Sequence, residues 1–313
     1  MQHLRIKALV LAVTLGSVSS YGQLVVTPDT AICLGGTATL AVISAPSYGT
    51  SSYTFETVPY APEVYAGTAA TPGLTDDSYS NATPIGFTFC FLGNEYTQAY
   101  IGSNGWLSFG GPGALTTTYT SATIPSVAAG VPKNCIMGPW QDWHPGLCAP
   151  VGSCVKYQTI GTAPNRKFVV SWDNVPMFSC TWLLGKFQIV LNETTNIIDN
   201  HLTNKPNCPG WAGGTATQGV HGPGGLVAFT APGRNSTAWT TSNESTRFVP
   251  SGIIWYDPAG TIVGYGDTLI VSPTVTTTYT AFLSACAGID YTADITVYVE
   301  DINPSFNYDA FYC

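Results

Sequence analysis

Residues 31–44 read "AICLGGTATLAVIS": a cysteine, a Gly-Gly turn, then apolar and polar residues in alternation. Period-two alternation marks a half-buried β-strand, with one face turned to a core. A β-sandwich that opens this way needs about six more strands. The residues that follow do not supply them in the same style. The missing text lies at the far end, where residues 251–299 read "SGIIWYDPAGTIVGYGDTLIVSPTVTTTYTAFLSACAGIDYTADITVYV". Split at Asp-Pro-Ala-Gly, Gly-Tyr-Gly-Asp, Ser-Pro-Thr and Ala-Gly-Ile-Asp, it predicts strands over 253–256, 261–263, 268–271, 278–283 and 291–299. This half lacks its own first two strands, which residues 24–27 and 37–43 provide.

Joined, "DTAICLGGTATLAV" and the 253–299 segment resemble one immunoglobulin-like (PKD-like) repeat of large bacterial surface adhesins. "SPTVTTTYTA" carries the resemblance best, and it implies that Trp255 packs the core from the third strand. In antibody-type domains a Tyr stands two residues before the second Cys. Here Tyr279 stands seven before Cys286, so the antibody disulfide is not transferable.

Between the two pieces, residues 46–250 read as β-meander. "IGFTFCFLGNEYTQAYIGSNGWLSFG" predicts three strands parted by Gly93-Asn94 and Asn104-Gly105. Further hairpins are predicted around 163–166 and 192–195, and in "TQGVHGPGGLVAFTA". The block resembles the nidogen-type extracellular domain in "FTFCFLGNEYTQAYIGSNGWLSFG", "MGPWQDWHP" and "KFQIVLNETTNII", taken in order. It is similar to a bacterial version nested in adhesin repeats, with flanks like "YTFETVPYAP" and "APGRNSTAWTTSNESTRFVP". The resemblance implies an extracellular adhesive architecture and brings no catalytic residues. The expected fold is therefore all-β: an immunoglobulin-like β-sandwich at 23–45 plus 251–300, with a second β-sandwich inserted between its second and third strands.

The margins and composition fit an exported chain. His3, Arg5 and Lys7 precede a short apolar run, Ala8 to Val18, and small residues at Ser20 and Gly22, which reads as a signal peptide over 1–22. Removing it leaves eight basic residues against 18 acidic ones. That balance disfavours nucleic acid and anionic lipid. No later stretch suits insertion in a membrane. Charged residues are only 9% of the chain, their places taken by Thr, Ser, Gly, Pro and aromatics, without sustained helical periodicity. Residues 301–313, ending "INPSFNYDAFYC", resemble the opening of a next repeat, so Cys313 is expected to pair outside this chain.

The other eight cysteines are expected in disulfides. Six fall in the insert and allow fifteen pairings. A short turn-rich loop favours Cys148–Cys154, flanking of one hairpin favours Cys180–Cys208, and elimination leaves Cys90–Cys135. Cys33 and Cys286 are then expected to join the two halves of the split sandwich. Wide Cys and His spacings give no zinc signature, and no metal or cofactor is expected.

No nucleophile elbow, zincin motif or phosphate loop is present, and an enzyme is not expected. Asp142, Asp173 and Glu193 are the conceivable carboxylates for glycoside cleavage, but surface or turn roles suit them better. "GPWQDWHPG", residues 138–146, is the densest polar-aromatic stretch. Asp142, Trp143 and His144 either contact a ligand or metal, or cap a turn with the tryptophans in the core; the second is favoured. Trp211 and Trp239, in Gly- and Thr-rich text, either stack on a sugar ring or cover the core. The functional expectation is a secreted, cell-surface adhesin-like module that binds an extracellular glycan or matrix protein beside neighbouring repeats. A carbohydrate-binding module of a polysaccharide-degrading system is the alternative, and a glycoside hydrolase a further one.

Overall fold

The computed structural model describes residues 23–300, apart from 46–48, 71, 112–113 and 287–288. The signal-peptide reading of 1–22 and the expectations for 301–313 and Cys313 lie outside the described residues. Among those described there are 22 strands, three short 3₁₀ turns and no α-helix.

The terminal pieces make two sheets facing one core. Val25–Val26, Ala38–Ser44 and Thr268–Val271 form one. Ile262–Tyr265, Ile253–Tyr256, Thr277–Ala285, Ile289–Glu300 and Thr30–Cys33, in that order, form the other. Alternation explains the division of faces. Ala38 and Leu40 pair with Val271 and Leu269, and all four turn inward onto Trp255, Leu283, Ile295 and Val297. Trp255 is fully buried, and its indole N–H donates to the Gly266 carbonyl at 2.8 Å. Burying side chains of this kind contributes about 1.5–3 kcal/mol each. The strand order is that of an immunoglobulin-type sandwich. One strand, Thr30–Cys33, was not predicted. It runs parallel to Ile289–Glu300, so no hairpin turn announces it.

Residues 52–251 make two larger sheets with their own core. One runs Ser52–Val58, Thr241–Ser251, Ile198–Lys205, Leu184–Asn192, Lys167–Pro176, Val155–Ile160, Thr68–Ala69. The other runs Ala228–Thr230, Thr215–His221, Cys135–Trp140, Trp106–Ser108, Asn94–Gly102, Thr83–Phe91, with Thr237–Ala238 also on Thr215–His221. Phe89, Phe91, Ile136, Phe168, Trp172, Phe187, Leu202 and Phe248 fill the space between. A third cluster, with Trp106, Cys135, Met137 and Trp140, covers other residues of the second sheet. The first hairpin turns on Leu92-Gly93, one residue earlier than predicted, because Phe91 pairs with Asn94 and both turn residues have positive φ.

The chain leaves and re-enters the terminal sandwich at one point. Ser52 pairs with Ser251, and only Gly252 separates that strand from Ile253–Tyr256. A Cβ on Gly49 would fall 2.7 Å from the Gly252 Cα and 2.0 Å from Leu283 Cδ1, so the two crossing segments touch.

Two expected disulfides are present: Cys148–Cys154 and Cys180–Cys208, with Cα separations of 5.9 and 6.1 Å. The other two expectations are corrected. Cys90 bonds Cys286, at a Cα separation of 5.8 Å, and Cys135 is a buried free thiol. Cys90 and Cys135 lie on strands three places apart in one sheet, about 14 Å at the usual strand spacing. That is far beyond disulfide reach. Cys90 sits on the edge strand, flanked by the core residues Phe89 and Phe91, and faces the last hairpin of the terminal sandwich. Cys33 is also disulfide-bonded, but not to Cys286.

Candidate functional site

The crossing at Gly49 and Gly252 fixes one end of the inserted body. Along Thr241–Ser251 the ladder runs from Ser52 at that end to Lys205 at the other, about 30 Å at the strand rise. The far end is also where Pro176 pairs with Leu184. Just beyond it, Met177 bridges to Trp143, and the Phe178 amide donates to the Asp142 carbonyl at 3.2 Å. The segment singled out in the sequence therefore lies at the tip remote from the terminal sandwich.

Asn104 organises this tip from the Asn104-Gly105 turn. It is buried; its amide oxygen accepts from the Trp143 amide at 3.0 Å and its Nδ2 donates to Asp77 Oδ1 at 2.8 Å. Asp77 has φ +47°, the left-handed region that aspartate enters more readily than most residues. Asp142 is only 5% exposed, and its Oδ2 accepts from the Trp211 indole at 2.6 Å. One oxygen from each of Asp76, Asp77 and Asp142 lies within 4.8 Å of the others. Burial pushes the Asp142 carboxyl up to about 7, against the Trp211 hydrogen bond and with help from Asp77 and Asp76. Burial likewise raises Asp76, opposed by His144, whose Nδ1 is 3.8 Å away.

Aromatic rings continue outward from the acids. His144 stacks on Phe178 at 5.7 Å, Phe178 meets Trp211 at 4.9 Å, and Trp211 stacks on Tyr119 at 5.9 Å. The Cys180–Cys208 disulfide pins the loop of Phe178 to the loop of Trp211, whose amide bonds the Cys208 carbonyl. In the same loop Trp182 is 74% exposed and Tyr119, at the end of the ring series, is 40% exposed.

Of the residues read from the sequence, Asp142, His144 and Trp211 converge here. Trp143 does not serve as a contact surface. It is fully buried, donates to the Pro139 carbonyl and packs on Phe187 at 5.4 Å. Trp239 is half-buried, with Lys205 Nζ and Arg234 lying over its ring at 4.6 and 4.3 Å. Asp173 and Glu193 are away from the trio and ion-paired, to Lys186 and Arg166. Hydrogen bonds from Arg166 hold Glu193 down to about 2. Sequence reasoning missed Asp76, Asp77, Asn104, Tyr119, Phe178 and Trp182. Its available signals were the adjacent aspartates of "LTDDS" and a tryptophan beside a cysteine in "SCTWLLG".

A family model described as "NIDO related" matches residues 48–256, about two thirds of the chain. The chain belongs to the NIDO-related family. The match covers the whole inserted body and ends with the strand Ile253–Tyr256. No curated protein and no solved structure matches. Family membership identifies an extracellular binding or structural module, and the disulfides Cys90–Cys286, Cys148–Cys154 and Cys180–Cys208 point the same way, since such bonds persist outside the reducing cytosol. No helix among the described residues is long and apolar enough to cross a membrane.

Proposed function

We propose that the chain is a non-enzymatic surface module of the adhesin type, in which the terminal sandwich is the support and the NIDO-related body its presented head. The observation that carries this reading is the position of the aromatic series. Tyr119, Trp211, Phe178 and His144 lie with the exposed Trp182 at the end farthest from the Gly49/Gly252 crossing. Exposed aromatics on loops held by a rigid scaffold are a common basis of recognition. Their flat faces suit the apolar faces of sugar rings, so an extracellular glycan is the preferred ligand class and a matrix protein the second. The same tip would serve a carbohydrate-binding module of a degradative system.

The test is an array of polysaccharides and matrix proteins probed with the secreted chain, together with Trp182→Ala and Tyr119→Ala variants. Binding that falls at least about tenfold in either variant, roughly 1.4 kcal/mol, supports the reading. Binding unchanged in both variants, or none at all, removes the tip as the ligand face. A hydrolase is a separate reading that rests on Asp142, a buried carboxyl at the tip that burial pushes up to about 7. Turnover of an array polysaccharide, abolished by Asp142→Asn, would replace the non-enzymatic proposal.

A further inference from the structure

We infer that Asp76, Asp77 and Asp142 form a calcium-binding site at the tip of the head. Three carboxylates converge, and two of their oxygens, Asp142 Oδ1 and Asp76 Oδ1, are buried with no hydrogen-bond partner. Asp142 is the buried member, with one oxygen fixed by Trp211 and the other left over. Unpartnered buried carboxylate oxygens are costly unless a cation meets them.

The rest of the body answers that cost with basic side chains. Glu63, Asp173, Glu193, Asp199 and Glu244 each have a Lys or Arg, namely Lys167, Lys186, Arg166, Arg247 and Arg234. Among the described residues, no Lys or Arg forms an ion pair with the trio, whose one basic neighbour is His144. A bound cation would supply what the sequence does not.

The donor set decides the class of cation. All three donors are hard carboxylate oxygens, which suit calcium or magnesium over zinc or copper. Magnesium demands a near-ideal octahedron, which three carboxylates from two separate loops do not set up. The three oxygens, all within 4.8 Å of one another, are close enough to share one ion. Calcium also accepts an irregular set completed by water. Bound there, it would tie the turn of Asp76 and Asp77 to the Asp142 loop and hold the carboxylate that orients Trp211.

This deepens the reading of the tip as a binding face, but the measurement uses no glycan or matrix ligand, so either proposal can fail alone. The secreted chain is stripped with chelator and titrated calorimetrically with calcium chloride and, separately, magnesium chloride. Thermal unfolding is followed over the same range. The expected result is one calcium per chain, a dissociation constant on the order of 0.1–1 mM as in extracellular modules, and a melting temperature that rises with calcium. Asp77→Asn, at a half-exposed position, keeps the fold and weakens binding at least about tenfold. Asp142→Asn keeps an acceptor for Trp211 and weakens it too. No saturable calcium binding up to about 10 mM, far above that range, would overturn the site. Equal affinity in Asp77→Asn and wild type would overturn it as well, and magnesium binding as tightly as calcium would overturn the calcium assignment.

Discussion

Replacing both Cys90 and Cys286 with serine tests how the two bodies are tied. The bond spans 196 residues, and the chain-entropy relation for a loop of that size gives about 5 kcal/mol. The structure argues for a smaller figure. Residues 52–251 form their own sheets and core, and their ends meet at Gly49, Gly252 and the Ser52–Ser251 pair, which close most of the loop without the disulfide. If that body stays folded while the terminal sandwich opens, the flexible part runs only from Gly252 to Cys286. A loop of roughly 35 residues gives about 4 kcal/mol in the same relation. The Thr50 hydroxyl, 3.0 Å from Cys90 Sγ, also suits a serine there, so local damage should be small. The assay is hydrogen exchange by mass spectrometry across a urea series, comparing peptides from 253–285 with peptides from 184–205. The expected outcome is a midpoint about 2 M lower for the terminal sandwich, at an m-value of about 2 kcal/mol/M, with the inserted body nearly unmoved. A loss under about 1 kcal/mol in the sandwich would refute the tether, since it would fall well short of any closed-loop estimate. Equal losses in both sets of peptides would refute separate unfolding.

Three further outcomes follow from single residues. Burial pushes the Cys135 thiol far up, so a disulfide-exchange reagent should label Cys135 in urea and hardly at all in the native chain; rapid native labelling of Cys135, located by peptide mapping, would contradict the buried placement. Trp143→Ala empties a fully buried site against Phe187 and Gly185 and should cost about 3–5 kcal/mol in urea unfolding, whereas a cost under about 1 kcal/mol would mean that the indole is not core. Burial, helped by Arg234, lowers Lys205 to about 7, so above that value the folded state holds fewer protons at this site than the unfolded chain. Stability at this site should therefore rise from about pH 7 toward pH 9, by an amount on the order of 1–3 kcal/mol, and fall as pH drops through 7. Lys205→Met should flatten that rise relative to wild type, and parallel pH curves would sink the assignment.

What the sequence alone determined here is local. Strand periodicity over 253–256 and 268–271, the hairpins after Ile160 and Asn192, and the disulfides Cys148–Cys154 and Cys180–Cys208 all depend on residues close along the chain. Turn chemistry and alternation carry that information directly. The two-piece sandwich was also legible, because each piece alternates and neither has enough strands alone. Strand order was not. Cys90 reaches Cys286 because its strand lies at a sheet edge beside the last hairpin, and Cys135 is stranded three strands inward. Lateral order in a sheet is set by packing of whole faces, which no short window of residues encodes. The same reason hid the site. Asp76 and Asp77 stand far from Asp142 in sequence, and it is the Asn104 turn, between them, that brings the three together. Trp143 and His144 are neighbours in the chain, yet one is sealed against Phe187 and the other stacks on Phe178 beside the acids. Their residue types allowed either role, and only the bridge between Trp143 and Met177 decided which face met the core.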